Sequence, residues 1–245
     1  MLSVERVSHS YREQGWLRRG RKQVLHEIGF EWRQGECLGI IGESGSGKST
    51  LGRLLLGIER PDGGTIRFNG RDVADRKVRL GAISAVFQDY RSSINPFYTV
   101  KEALLEPLAM LGRDLTLSQL GSLLSQVGLD ATYLAKYPHE LSGGEAQRVC
   151  IARAIATEPQ CILLDEAISS LDGSVQMQVL RLLKELQSAL DLGYIFITHD
   201  IQAAAYLCDR IMIIQSGRMM ELVETSELSQ VQSPYAKELL RKVMM

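Results

Sequence analysis

Hydrophobic residues fall along this chain in short unbroken runs separated by amphipathic stretches. Runs at Glu36–Gly42 (ECLGIIG), Ile83–Phe87 (ISAVF), Cys161–Asp165 (CILLD), Tyr194–Thr198 (YIFIT) and Ile211–Ile214 (IMII) have the length and continuity of strands buried in a parallel sheet. Helical periodicity lies between several of them, at Lys48–Leu56, Glu145–Ala156 and Ser174–Leu190. Strands alternating with helices predict an α/β core. Weaker alternation over residues 2–8 and 24–33 predicts two antiparallel strands. The basic stretch between them, Arg12–Gln23, reads as a solvated hairpin tip, with a patch for lipid headgroups or a partner as the alternative.

One segment interrupts the alternation. From Thr99 to Thr157 no strand-like run occurs, and two capping-box patterns, Thr99–Glu102 and Thr116–Gln119, open helices that Gly112 and Gly128 would close. This predicts an all-helical insertion in the α/β core. After Gly217 the chain shows one further pattern, a short helix at Pro234–Val243.

Composition narrows the classes. The 245 residues are 45% hydrophobic and 23% charged, with a formal net charge of -1. That balance removes the usual electrostatic case for nucleic acid as a main ligand. No apolar run approaches the ~20 residues that span a bilayer, and no N-terminal apolar segment suggests secretion, so a cytoplasmic location is expected. The four cysteines, Cys37, Cys150, Cys161 and Cys208, are dispersed. They read as buried reduced thiols rather than a disulfide or a metal site.

The stretch GESGSGKS, Gly42–Ser49, fits G-x-x-x-x-G-K-[ST] between a buried strand and a helix. Backbone amides along Gly42, Glu43, Ser44, Gly45, Ser46, Gly47, Lys48, Ser49 and Thr50 would wrap the phosphates of a nucleoside triphosphate. Lys48 supplies the cation for the β- and γ-phosphates, and the Ser49 hydroxyl is placed to ligate Mg²⁺. Asp165 and Glu166 follow a buried strand, at the end where ligands sit in open α/β sheets. Asp165 would hold the magnesium, while Glu166 would orient or deprotonate the attacking water. His199 stands in the same position after another strand, suited to donate to the γ-phosphate or to charge developing in the transition state. Gln88, after Ile83–Phe87, would reach both magnesium and the attacking water, although glutamine after a strand is a common occurrence.

A second anion seat lies at Leu141-Ser142-Gly143-Gly144-Glu145. Ser142 and Glu145 form another capping box, and the glycine pair exposes amides at the positive end of a helix. No lysine accompanies it.

Taken together these residues resemble the ATP-binding subunits of ABC transporters. Gly42–Ser49, Gln88, Leu141–Glu145, Ile162–Glu166, Ser169–Asp172 and His199 stand, in that order, where the family has its phosphate loop, glutamine loop, LSGG(Q/E) signature, acidic strand, SxLD loop and histidine switch. The resemblance implies a P-loop cassette with a parallel-sheet core, an antiparallel β-subdomain and an inserted helical subdomain. It implies a single domain, with residues 1–88 and 158–230 as core and β-subdomain, 89–157 as the helical subdomain and 231–245 as a short C-terminal helix. Tyr11 sits where the family stacks an aromatic on adenine. Two such cassettes pair head to tail, so Leu141, Ser142, Gly143, Gly144 and Glu145 would act on ATP held by the partner, and Asp172 would communicate between sites. ATP and Mg²⁺ are implied as ligands. The implied partners are a second identical or homologous ATPase subunit, two transmembrane permease subunits and, indirectly, an extracytoplasmic binding protein. The implied place is the cytoplasmic face of the inner membrane.

A narrower resemblance is carried by VFQDYRSSINPFYTV (Val86–Val100) and SPYAKELL (Ser233–Leu240), which look like the peptide and nickel importer group. The sequence DEAISSLD (Asp165–Asp172) puts Ala167-Ile168 where most members have Pro-Thr, and nickel-importer ATPases of the E type show a similar departure. No cysteine follows Cys208, unlike many peptide-importing members. Nickel or a metal–chelator complex is the favoured cargo and peptide the alternative. A soluble ABC protein of DNA repair or translation is disfavoured by the absence of a coiled-coil split or a second cassette.

Overall fold

The computed structural model describes residues 1–12, 20–89 and 93–241. The chain divides into two compact units: Met1–Arg79 with Ile195–Met245, and Leu80–Tyr194.

In the first unit, β1 (Leu2–Arg12), β2 (Arg21–Trp32), β4 (Gly63–Phe68) and β5 (Arg71–Asp72) form an antiparallel sheet of order β2-β1-β4-β5. Leu2, Val4, Ile28, Phe30, Ile66 and Phe68 are buried along it. Trp32 is fully buried, stacked on Phe68 at 6.2 Å, and donates its indole N–H to the Glu36 carbonyl at 2.9 Å. β1 and β2 slip register between Val4–Phe30 and Val7–Ile28, where Arg6 turns to φ 48°.

The same unit holds β3 (Cys37–Ile41), β8 (Gly193–Thr198, from Ile195 onward), β9 (Arg210–Gln215) and β10 (Arg218–Glu224). β3 and β9 run parallel, while β10 returns antiparallel on β9. Every residue of β3 is buried, which matches its unbroken apolar sequence. α1 (Lys48–Leu55) follows β3, α2 (Arg76–Arg79) follows β5, α7 (Ile201–Leu207) follows β8, and α8 (Pro234–Arg241) closes the chain among the described residues.

In the second unit, β6 (Ile83–Phe87) pairs in parallel with β7 (Cys161–Asp165), in a register that sets Phe87 opposite Asp165. Between them lie α3 (Val100–Ala109), α4 (Leu117–Gln126) and α5 (Gly143–Ile155), and α6 (Gly173–Leu190) follows β7. Capping boxes open α3 at Thr99, α4 at Thr116 and α5 at Ser142. Gly112 and Gly128 take φ of 64° and 72° just beyond α3 and α4, the left-handed turn that ends a helix at little cost for glycine. Among the described residues from Thr99 to Thr157 no strand occurs.

Two expectations need correction, and strands β4 and β5 were not anticipated. The first two strands extend to Arg12 and from Arg21, so the ends of the basic stretch are strand; residues 13–19 of it lie outside the described residues. β4 and β5 were not legible as strands, because exposed glycines, a threonine and an arginine dilute their apolar positions. The segment after Gly217 is strand β10 before it is helix: Arg218–Glu224 is a half-exposed edge whose side chains give no apolar run. All four cysteines are buried, and the Cys37 thiol donates to the Cys208 sulfur at 3.4 Å.

Candidate functional site

The phosphate loop is built by β3 running into α1. Gly42 leaves the buried strand so closely packed that a Cβ there would lie 2.2 Å from the Ile214 carbonyl. Gly45 and Gly47 have φ of 80° and 104°, conformations that favour glycine. Glu43, Ser44 and Gly45 form the exposed rim, while Ser46, Gly47, Lys48 and Thr50 are buried and Ser49 is half-buried. Gly47 is the N-cap of α1 and offers no side chain to its first amides, so the positive end of the helix remains available. The Ser46 hydroxyl is buried with no hydrogen-bond partner among the described residues. Lys48 donates to the carbonyls of Gly42 at 2.7 Å and Glu43 at 3.0 Å, folded over its own loop. Uncapped amides, an unsatisfied hydroxyl and a buried cation in one cradle fit a phosphate ester.

Two contacts bracing this loop were missed in the sequence. The Gly217 amide donates to the Ser46 carbonyl at 2.9 Å, and the Glu43 amide donates to the Tyr235 hydroxyl at 3.2 Å. The first could have been found from Ser216-Gly217, a turn signal, had β10 been recognised. The second carried no local signal.

Tyr11 lies one residue before the end of β1, its hydroxyl hydrogen-bonded to Glu59 at 2.6 Å. His199 is exposed in a bend after β8. That bend is held by the Asp200 amide, which donates to the Thr198 hydroxyl at 3.0 Å, while the Asp200 carboxylate caps α7 through the Ala203 amide at 3.0 Å.

In the second unit the register of β6 and β7 brings Gln88 and Glu166 to equivalent positions, each one residue beyond the paired Phe87 and Asp165. Gln88 is exposed and both acids are half-buried. Glu166 has φ 51°, a left-handed backbone that is uncommon outside glycine and clusters at functional sites. Its carbonyl accepts from the Ser169 amide at 3.2 Å and the Ser169 hydroxyl at 2.9 Å, which fixes the turn. Ala167 and Ile168 are buried beneath it. Asp172 caps α6 through the Val175 amide at 3.0 Å and accepts from the Ser174 hydroxyl at 2.8 Å, bonds that lower its carboxyl pKa.

At the second anion seat Ser142 is the exposed N-cap of α5, and its own amide donates to Glu145 at 2.7 Å. Leu141, Gly143 and Gly144 are half-buried around it. The Tyr133 hydroxyl donates to the other Glu145 oxygen, and this bond, followed by the Ser142 amide, lowers the Glu145 pKa to about 2. Gly144 packs closely on α6: a Cβ there would lie 2.7 Å from Val175 Cγ1.

With this geometry in view, comparison with known proteins decides the family. Residues 25–169 match the ABC transporter family, and a relative is 48% identical over 99% of this chain and 98% of its own: the metal-staphylopine import system ATP-binding protein CntF of Staphylococcus aureus (strain NCTC 8325 / PS 47). The chain belongs to the ABC transporter family. This cassette is also 39% identical, over its full length and 91% of the relative, to the nickel import ATP-binding protein NikE of Rhodospirillum rubrum. Among solved structures, the dimeric ATP-binding cassette MJ0796, in a post-hydrolysis state bound to ADP and Pi, matches with TM-score 0.79 and 27% identity over 92% of this chain and 99% of that one. The fold is therefore that of a P-loop ABC cassette, and the activity is that of an ATPase coupled to transport. Among the described residues no helix is long and apolar enough to cross a membrane.

Proposed function

We propose that the cassette is the ATP-hydrolysing subunit of a membrane importer for nickel or a metal–chelator complex. The observation that carries this reading is the 48% identity, along 99% of the chain, to a protein named for metal-staphylopine import. In this reading the cassette works at the cytoplasmic face of the inner membrane, attached to two transmembrane permease subunits. An extracytoplasmic binding protein delivers the cargo, and no nucleic acid takes part. The functional unit pairs the cassette head to tail with a second, identical or homologous, ATPase subunit.

Each site residue then has a task. Tyr11 carries adenine, the amides from Gly42 to Thr50 cradle the phosphates, and Lys48 leaves its own carbonyls for the β- and γ-phosphates. Ser49, Gln88 and Asp165 would hold Mg²⁺, whose chemistry is to neutralise charge on the transferring phosphoryl group. Glu166 accepts the proton of the attacking water and His199 donates to the γ-phosphate. Leu141–Glu145 turns its helix end toward the partner's ATP, and Asp172 links the two sites. Their distribution supports the pairing: the seat at Leu141–Glu145 has no lysine of its own, and the partner's phosphate loop would supply one.

The test is Glu166→Gln, which retains the shape of the site and removes the base. The variant is expected to bind ATP, lose turnover and elute as a dimer in excess ATP, alone or mixed with its partner ATPase. A monomer in both samples contradicts the head-to-tail reading. Uptake of labelled nickel, with and without chelator, in a deletion strain tests the cargo; loss of dipeptide uptake alone would contradict metal import.

A further inference from the structure

We infer that Glu59 is a positioning residue for the nucleotide base, acting through Tyr11. The inference rests on the reading of Tyr11 as the adenine platform and adds how that platform is held. The Tyr11 hydroxyl donates to Glu59 Oε2 at 2.6 Å and accepts from Arg53 Nη2 at 2.8 Å. Arg53 Nε reaches the other Glu59 oxygen at 2.8 Å, and His9 Nε2 lies 3.2 Å from Oε2. The His9 ring meets the Tyr11 ring edge to face, 4.9 Å away at 83°.

These contacts tie the end of β1 to the phosphate-binding helix. Arg53 is on α1, the helix whose first turn carries Lys48 and Ser49, and Glu59 follows that helix. Tyr11 lies one residue before the end of β1. Asp62 adds a second tie, accepting from the Ser10 amide at 2.7 Å and from Arg21 at 2.6 Å. Burial raises the Glu59 pKa, but hydrogen bonds from Tyr11 and Arg53 outweigh it and hold the carboxyl below its ordinary range. Glu59 is therefore an ionised acceptor at neutral pH, and the tyrosine hydroxyl has both a donor and an acceptor partner.

The consequence concerns affinity more than stability. A half-exposed ion pair contributes little to folding. An untethered tyrosine, by contrast, must be ordered when a base stacks on it, and that ordering subtracts from binding. Glu59 fixes the ring at a set height relative to the phosphate-binding helix before ATP arrives.

The experiment measures equilibrium binding of ATP and of inorganic triphosphate, which has no base, to the full chain. Variants are Glu59→Ala, Glu59→Gln, Tyr11→Phe, Tyr11→Ala and the double variant Tyr11→Phe/Glu59→Ala. Losing a hydrogen-bonded anchor predicts about fivefold weaker ATP binding for Glu59→Ala and for Tyr11→Phe. The double variant is expected to be no weaker than either, because both remove one lock. Triphosphate affinity is expected to stay constant in all of them, and Glu59→Gln, which still accepts from Tyr11 but loses its ion pairs, falls between wild type and Glu59→Ala. Equal loss for ATP and triphosphate overturns the inference, since Glu59 would then be supporting the phosphate loop. Wild-type ATP affinity in Tyr11→Phe and Glu59→Ala, with weak binding in Tyr11→Ala, overturns the lock but leaves the platform. Wild-type affinity in Tyr11→Ala overturns the platform itself.

Discussion

The amide of Gly217 donates to the carbonyl of Ser46 at 2.9 Å, so the turn between β9 and β10 holds the phosphate loop from behind. The Gly217 carbonyl in turn accepts from the His26 amide at 2.8 Å, which fastens the same turn to β2. No other residue type suits the position: φ is 74° and a Cβ would lie 2.0 Å from the Val24 carbonyl oxygen. Backbone atoms cannot yield as a side-chain tip can. Gly217→Ala is expected to cost about 2–4 kcal/mol, from left-handed strain and overlap together. It should also weaken ATP binding, because Ser46 must move with the turn. Urea denaturation and ATP titration check the two effects, and a variant with wild-type affinity would show that the brace does not shape the loop.

Glu145 predicts a pH dependence. Its pKa is about 2 in the folded chain, against about 4.3 for an unperturbed glutamate. The folded value is the lower one, so the stabilising contribution is complete above the unfolded pKa and is lost as pH falls through the folded pKa. The stability difference between wild type and Glu145→Gln should therefore be constant at pH 6 and shrink between about 4.3 and 2. Tyr133 is the largest cause of the shift. Tyr133→Phe should raise the Glu145 pKa toward the ordinary range, measured by NMR titration of the carboxyl carbon; an unchanged value would assign the shift to the helix cap alone.

The parts legible in the sequence were those with local, one-dimensional causes. Cys161–Asp165 and Ile83–Phe87 are strands at the predicted bounds; burial on both faces explains the continuous apolar run of the first, whereas the second is a half-buried strand with Phe87 exposed. The caps at Thr99, Thr116 and Ser142 were readable because the partner lies three residues away. β10 was not readable, since an edge strand with exposed Arg218, Met219 and Met220 has no pattern to show. Asp172 was readable as part of the SxLD loop, but its bond to the Val175 amide shows that it also starts α6. The brace from Gly217, the hydroxyl of Tyr235 and the lock around Tyr11 depend on residues far apart in the chain, and no local spacing announces them. His9 had no visible role in the sequence and emerges as a partner of Glu59.

Gly144 separates what the signature glycines do for the fold from what they would do for a ligand. Replacing it with alanine gains helix propensity, worth up to about 1 kcal/mol. The same methyl would lie 2.7 Å from Val175 Cγ1, on a β-branched side chain whose rotamer is stiff in a helix. Overpacking of this kind costs about 1–3 kcal/mol, so the clash outweighs the propensity and Gly144→Ala is expected to be destabilised. Val175→Ala removes the atom that is struck. The double variant Gly144→Ala/Val175→Ala should recover most of the stability lost by Gly144→Ala, as a coupling energy in a denaturation cycle. ATPase activity of the assembled transporter supplies the second reading. If stability returns and turnover does not, Gly144 is also needed as bare backbone at the helix end, as an amide facing the partner's phosphate requires. If both return, the glycine serves the packing of α5 on α6 alone, and anion recognition falls to Ser142 and Gly143.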